Sequence, residues 1–161
     1  MTLIELILVM MILVTIAAVA APRFSDSFPS MQVRKSADQV FAWARKARAE
    51  AALTGARQRL VFNPEKRKYW LAYEAKPLKE PGKFTTLDGA WSEEILPGEV
   101  VFESLEGAQE DPDSAEARYL EFRPDGTCTD ATIVVANDRG DRKTIRVVGA
   151  SSRVSIEAPK P

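Results

Sequence analysis

The chain is 161 residues long, 45% hydrophobic and 28% charged, a composition of globular type and a length that suits one domain. It has no histidine and a single cysteine, Cys128, which excludes Ser-His-Asp and Cys-His nucleophiles, histidine-based metal sites and an internal disulfide. The formal net charge of −1 hides a segregation: the first 22 residues carry one charge, Glu5, residues 23–68 hold 11 Lys or Arg against 4 Asp or Glu, and residues 69–161 hold 11 against 18.

The N-terminal segment comes first. Leu6–Ala21 is apolar except for Thr15. As a helix this run covers about 24 Å, and about 31 Å with residues 1–5 added. That matches a bilayer hydrocarbon core of about 30 Å. A secretory signal peptide would carry Lys or Arg before the apolar run, and none is there; a plain signal anchor needs no acid at position 5. Glu5 is costly at such a depth and calls for a cation, and its own helix offers no Lys or Arg within reach. The candidates are an α-amino group or simple hydration at the headgroup level. Pro22 lacks an N–H and leaves the carbonyl of Ala18 without a helical partner, so a kink or a locally melted stretch is expected near Ala18–Pro22.

After a polar break at Ser25–Ser30, helical periodicity resumes. Val33, Ala37, Val40, Ala44, Ala47 and Ala51 recur at alternating intervals of four and three, which predicts an amphipathic helix over about 31–54 with a core-facing stripe. Phe41 widens the stripe, while Arg34, Lys35, Arg45, Lys46 and Arg48 line other faces. Gly55 after Thr54 marks a helix stop.

The remainder, about 57–157, reads as strands. Arg57–Phe62 and Tyr69–Ala75 flank the turn NPEKRK as a hairpin, and Lys76–Gly98, with three prolines, is a long irregular connection with room for a short edge strand. Further strands are expected at Val100–Leu105, Arg118–Arg123, Thr132–Ala136, Lys143–Val148 and Arg153–Glu157. An acidic loop, Glu106–Glu116, separates two of them. The fold class is α+β, one long N-terminal helix packed on an antiparallel sheet.

Two resemblances follow. MTLIELILVMMILVTIAAVAAPRF resembles the mature N-terminus of type IV pilins and type II secretion pseudopilins, with Thr2, Leu3, Ile4, Glu5 and Pro22 matching in identity and spacing. The usual first residue is phenylalanine; Met1 is either the processed N-terminus or an initiating methionine in its place. A helix rich in Ala and Arg, the LVFNPEKRKYWL hairpin, ILPGEVVF, and FRPDGTCTDATIVV followed by IRVVGASSRVSI resemble the GspH/FimT group of minor pilins, with Ser152-Arg153 where that group has glycine-arginine.

The resemblance implies residues 1–24 as a transmembrane and filament-core helix, and residues 25–161 as a periplasmic pilin-like domain. It implies Met1 as the processing and methylation site, Thr2, Leu3, Ile4 and Glu5 as the subunit contact, and Pro22 as a kink that yields in the filament. A neighbour's α-amine is then the partner of Glu5. The implied role is a minor pseudopilin at the tip of a type II secretion pseudopilus, supporting export of folded proteins. A minor pilin of a type IV pilus, with a part in assembly or DNA uptake, is the alternative. Expected partners are other pilins or pseudopilins, an inner-membrane assembly platform and a prepilin peptidase, with no nucleic acid.

No enzymatic activity and no cofactor are expected. The acidic loop could offer calcium the oxygens of Glu106, Glu110, Asp111, Asp113 and Glu116, but it lacks the alternating ligands and turn glycine of an EF-hand, and a solvated loop is the preferred reading. Cys128 reads as a small buried or loop residue, and Trp43, Trp70 and Trp91 as core or interface aromatics.

Overall fold

A computed structural model describes residues 2–87, 89, 91–151 and 153–157, without the side chains of residues 19–27. Helix α1, Leu3–Thr54, is followed by ten strands: β1 Gln58–Asn63, β2 Lys68–Glu74, β3 Phe84–Thr86, β4 Glu94–Ile95, β5 Val101–Glu106, β6 Gln109–Asp111, β7 Ser114–Phe122, β8 Ala131–Ala136, β9 Arg142–Val148 and β10 Arg153–Glu157. This is the expected α+β architecture, with one revision. The strands form two antiparallel sheets, ordered β3-β2-β1-β7-β6 (with β4 also on β2) and β10-β9-β8-β5.

The helix runs unbroken for 52 residues, through Pro22 and through Ser25–Ser30, where the sequence suggested a break. Serine and aspartate cost only tenths of a kcal/mol each in a helix, while Pro22 and Pro29 cost about 3 kcal/mol each and are accommodated within it. The end comes at Gly55, which adopts φ 66° and donates its N–H to the carbonyl of Ala51. That left-handed cap is the reason glycine stands there.

The predicted stripe is the buried one. Val33, Ala37, Val40, Ala44, Ala47 and Ala51 are all buried, joined by Trp43. Alanines let the helix axis approach the sheets closely, and the core behind them is filled by Leu60, Phe62, Tyr69, Leu71, Leu120, Phe122, Ile133 and Ile145. Phe41 is not part of this core; it is half-buried at the helix flank, with the Arg45 guanidinium 5.7 Å from its ring centroid.

The β1–β2 hairpin forms in the register Leu60↔Leu71 and Phe62↔Tyr69, so alternate residues face the helix side. The opposite face of this sheet carries a second, smaller cluster, Val61, Ala72, Ala117 and Tyr119. The acidic segment is not an open loop. Gln109–Asp111 pairs with β7 as a hairpin, and its charges find cations: Glu110 lies 3.6 Å from Arg118 and Glu116 lies 3.4 Å from Lys66. Among the described residues no group of three or more acidic or cysteine side chains is placed to hold a metal ion. Cys128 is buried, its Sγ 3.7 Å from the carbonyl of Val148.

On the outer face of the β1–β2–β7 sheet, two buried carboxylates organise a set of arginines. Glu74, 4% exposed, receives two hydrogen bonds from Arg57, at 2.5 and 2.9 Å, and one from the N–H of Gly82 at 2.7 Å. Glu121 pairs with Arg59 at 3.2 Å, Arg123 at 3.4 Å and Arg57 at 3.7 Å. The Arg59 guanidinium also lies 3.6 Å from the Phe84 ring centroid and 4.0 Å from that of Tyr119.

The hydrogen bond from Arg57 is the main cause that holds the Glu74 carboxyl below the usual carboxylate range; burial opposes it, and the Gly82 N–H assists. A depressed carboxyl contributes stability that is complete above its unfolded value, about 4.3, and is lost as pH falls through the folded value. Glu74→Gln should therefore lower the stability of the domain at pH 7 by about 1.5–3 kcal/mol, the range for hydrogen bonds to charged groups. The difference from wild type should shrink once Glu74 is protonated in acid. Thermal melts of both proteins at neutral and acid pH test this; an equal gap at both would mean that the ionised form of Glu74 is not what matters.

Candidate assembly interface

The start of α1 is apolar by sequence and, from Leu3 to Ile16, bare in the structure. Each large apolar side chain from Leu3 to Ile16 is exposed, Leu3 at 80%. The buried stripe begins at Val33, and Phe28 and Met31 just before it are exposed as well. From Leu3 to Ile16 the helix is about 20 Å long. A continuous apolar surface around that stretch exceeds the few hundred Å² tolerated on a monomer and marks a membrane or protein contact.

Two details show how this stem handles its polar groups. Thr15, the one polar side chain in the run, donates its hydroxyl to the carbonyls of Met11 at 3.0 Å and Ile12 at 2.8 Å, which hides it from an apolar surrounding. At the start of the helix Thr2 is the N-cap in extended conformation, and Glu5 in the first turn accepts a hydrogen bond from the Thr2 backbone N–H at 3.4 Å. Glu5 thus has a local partner that the sequence reading overlooked. The signal was present: Thr2-Leu3-Ile4-Glu5 is the T-x-x-E spacing of a capping box, and an acid there also suits the positive end of the helix.

Thr2, Leu3, Ile4 and Glu5 are brought together in one exposed turn. Met1, the expected processing and methylation site, lies outside the described residues, and Pro22 lies on the helical path with its side chain among those not described. Among the described residues no helix is long and apolar enough to cross a membrane; the run Leu6–Ala21 ends among the side chains that are not described.

Further up the same helix, Lys46 pairs with Glu50 and lies 5.9 Å from the Trp91 ring centroid. Arg34, Lys35 and Arg48 are exposed. The stem, then, is apolar and the helix above it is basic on its open side. Both are exposed surfaces among the described residues.

Comparison with known proteins bears on which association. The family model of the type II transport protein GspH matches residues 36–152. Among solved structures, the chain is similar to the minor pseudopilin EpsH from the type 2 secretion system of Vibrio cholerae. The identity is 13%, the match covers 81% of this chain and 99% of that one, and the TM-score is 0.63. It is also similar to E. coli GspH, at 17% identity over 80% of this chain and 89% of that one, with a TM-score of 0.60. No curated protein matches by sequence. The structural likenesses establish a shared fold, and with the family model spanning most of the globular part, the chain belongs to the type II transport protein GspH family.

Proposed function

We propose that this GspH-family chain is a minor pseudopilin, a structural and non-enzymatic subunit of the type II secretion pseudopilus, placed near the tip and supporting export of folded proteins. The observation that carries the reading is the bare apolar stem: a stretch of helix about 20 Å long, from Leu3 to Ile16, whose large apolar side chains are all exposed. In the inner membrane that surface faces lipid; in the filament it packs against the stems of other pseudopilins, with the globular domain in the periplasm. A prepilin peptidase would generate the N-terminus, with Met1 methylated. An inner-membrane platform would extract the subunit and add it to the filament. Pro22 is the place where the helix would yield on that transfer, because the carbonyl of Ala18 has no N–H partner to lose.

Removal of residues 1–24 tests the division of labour. The truncated protein should be soluble and folded, since the buried stripe starts at Val33, and it should no longer enter the membrane or restore secretion to cells lacking the full chain. Solubility in detergent-free buffer, a cooperative melt and a secretion assay read the three parts. An unfolded product would show that the stem contributes to the core, and restored secretion would remove the assembly role.

A further inference from the structure

The two ends of the globular domain differ in kind. At the end where the stem enters, Gly98 lies against Gln32 and accepts a hydrogen bond on its carbonyl from Arg67. At the other end, α1 stops at Gly55, and the N–H of Glu74 bonds to the carbonyl of Arg57 at 3.0 Å, so the segment after β2 emerges on the side away from the stem. That segment, residues 75–83, is exposed throughout, and at its apex Leu78 is 98% exposed, the most exposed large apolar side chain among the described residues.

A single exposed leucine needs no explanation by itself. What distinguishes Leu78 is how firmly its loop is held. The N–H groups of Lys79 and Glu80 both donate to the carbonyl of Lys76, at 3.1 and 2.9 Å, closing one turn around Pro77 and Leu78. Pro77 and Pro81 fix φ at two more places. Glu80 pairs with Lys76 at 3.8 Å and Lys83 at 3.2 Å. The returning limb is tied down by the Gly82 N–H on the buried Glu74, by β3 on β2, and by the Phe84 ring at the Arg59 guanidinium. The buried arginine–carboxylate network therefore presents a leucine in a fixed position, with Lys79 beside it free of any ion pair among the described residues. An apolar side chain ordered before binding loses little entropy on docking, which is the property of an interface anchor.

We propose that the Lys76–Lys83 loop is a docking element that seats Leu78 in an apolar socket rimmed by carboxylates on another pseudopilin, on the side of the head away from the stem. The inference rests on the subunit role proposed above. The partner is a protein and not lipid, because the loop lies at the pole opposite the membrane-anchored stem. It is acidic because the loop carries three lysines against one glutamate. Heads of this type can supply such a surface: at the stem end of this one, Glu65, Glu99, Asp111 and Asp113 have no ion pair among the described residues. A neighbour stacked one step further from the membrane would place that end over the loop.

The test places a photoreactive benzophenone side chain at position 78 of the full chain, in membranes that assemble the filament. The expected result is one protein adduct, identified by mass spectrometry as another pseudopilin and mapped to a peptide rich in Asp or Glu. Changing Lys79, the loop lysine that holds no ion pair among the described residues, to Glu should cut its yield about tenfold while leaving the Lys76–Glu80 and Lys83–Glu80 pairs in place. The melting temperature should stay unchanged because the Lys79 side chain is exposed. Leu78→Asp in an otherwise wild-type chain should reduce incorporation into sheared filaments. No adduct, adducts with lipid alone, a partner that is not a pseudopilin, or a yield indifferent to the charge reversal would each overturn the docking role. Filament incorporation is scored in parallel through crosslinks in the stem. Normal incorporation without a position-78 adduct removes this loop's role and leaves the subunit reading standing, whereas wild-type protein that never enters filaments removes both.

Discussion

Trp43→Ala should destabilise the globular domain by about 3–5 kcal/mol, the range for emptying a large buried aromatic site. Trp43 is 5% exposed and is the one large side chain on a buried helix face otherwise lined by alanine, valine and Ser36. Its ring meets Tyr69 edge-on at 4.9 Å between centroids and Trp91 at 5.0 Å. Each such pair adds about 0.5–1.5 kcal/mol beyond the area it buries. The alanines around it cannot close over the gap, because they already bring the helix backbone close to the sheets. Trp91 loses its support, and with it the position of Lys46 near its ring. Against a total stability of about 5–15 kcal/mol for an ordinary domain, a loss of this size leaves a large unfolded fraction near body temperature. Trp70 is the control. It lies partly buried beside both apolar clusters, and its truncation should cost distinctly less. Urea unfolding of the domain lacking residues 1–24 measures both. Equal losses would mean that the helix–sheet seam is not where the core is concentrated.

The seam itself was legible in the sequence. Six apolar residues at alternating spacings of four and three define one face of a helix whatever it packs on, and all six are buried. Strand positions were legible for a similar reason, since alternating residues bounded by NPEKRK, PDG and NDRGD leave little choice of register. The division into two sheets was not. Pairing β1 with β7, Leu60 with Leu120, joins positions far apart in sequence, and no local pattern says which strand takes which edge. Gln109–Asp111 was hidden by composition: every residue of EGAQEDPDSAE is polar, small or proline, so no apolar period marks a strand, and the pairing of Glu110 with Arg118 appears only once β6 and β7 are side by side. The arginine network was hidden too, because Glu74 and Glu121 are the kind of residue that solvent usually takes.

The apolar stem was plain in the sequence, and the turn that holds Glu5 was legible only in part. Hydrophobicity located the acid as an anomaly, but treating it only as an anomaly concealed the capping geometry of Thr2.

Glu5→Ala should leave membrane insertion intact or improved and should largely abolish entry into the filament. The carboxylate has two calls on it. Locally it accepts the Thr2 N–H at 3.4 Å, longer than the usual 2.9–3.0 Å. One weak hydrogen bond does not compensate a charge surrounded by apolar side chains, which on insertion scales is unfavourable by about 2.5–3.5 kcal/mol at a helix centre and less near an end. An α-amino group on a neighbouring stem would complete it. A neighbour displaced along the axis so that its amine comes alongside Glu5 would set the axial register as well as adding affinity. Glutamine separates the two roles. A capping box accepts Glu or Gln alike, so Glu5→Gln keeps the local bond and the side-chain size. It cannot pair with an ammonium as a charge. If the neighbour's amine is the decisive partner, Glu5→Gln fails to assemble as Glu5→Ala does, and that is the expected result. The readout is crosslinking between stems in intact membranes, with membrane insertion measured on the same samples. Assembly by Glu5→Gln at the wild-type level, alongside failure of Glu5→Ala, would show that Glu5 acts on its own helix; normal crosslinking in both would remove it from assembly altogether.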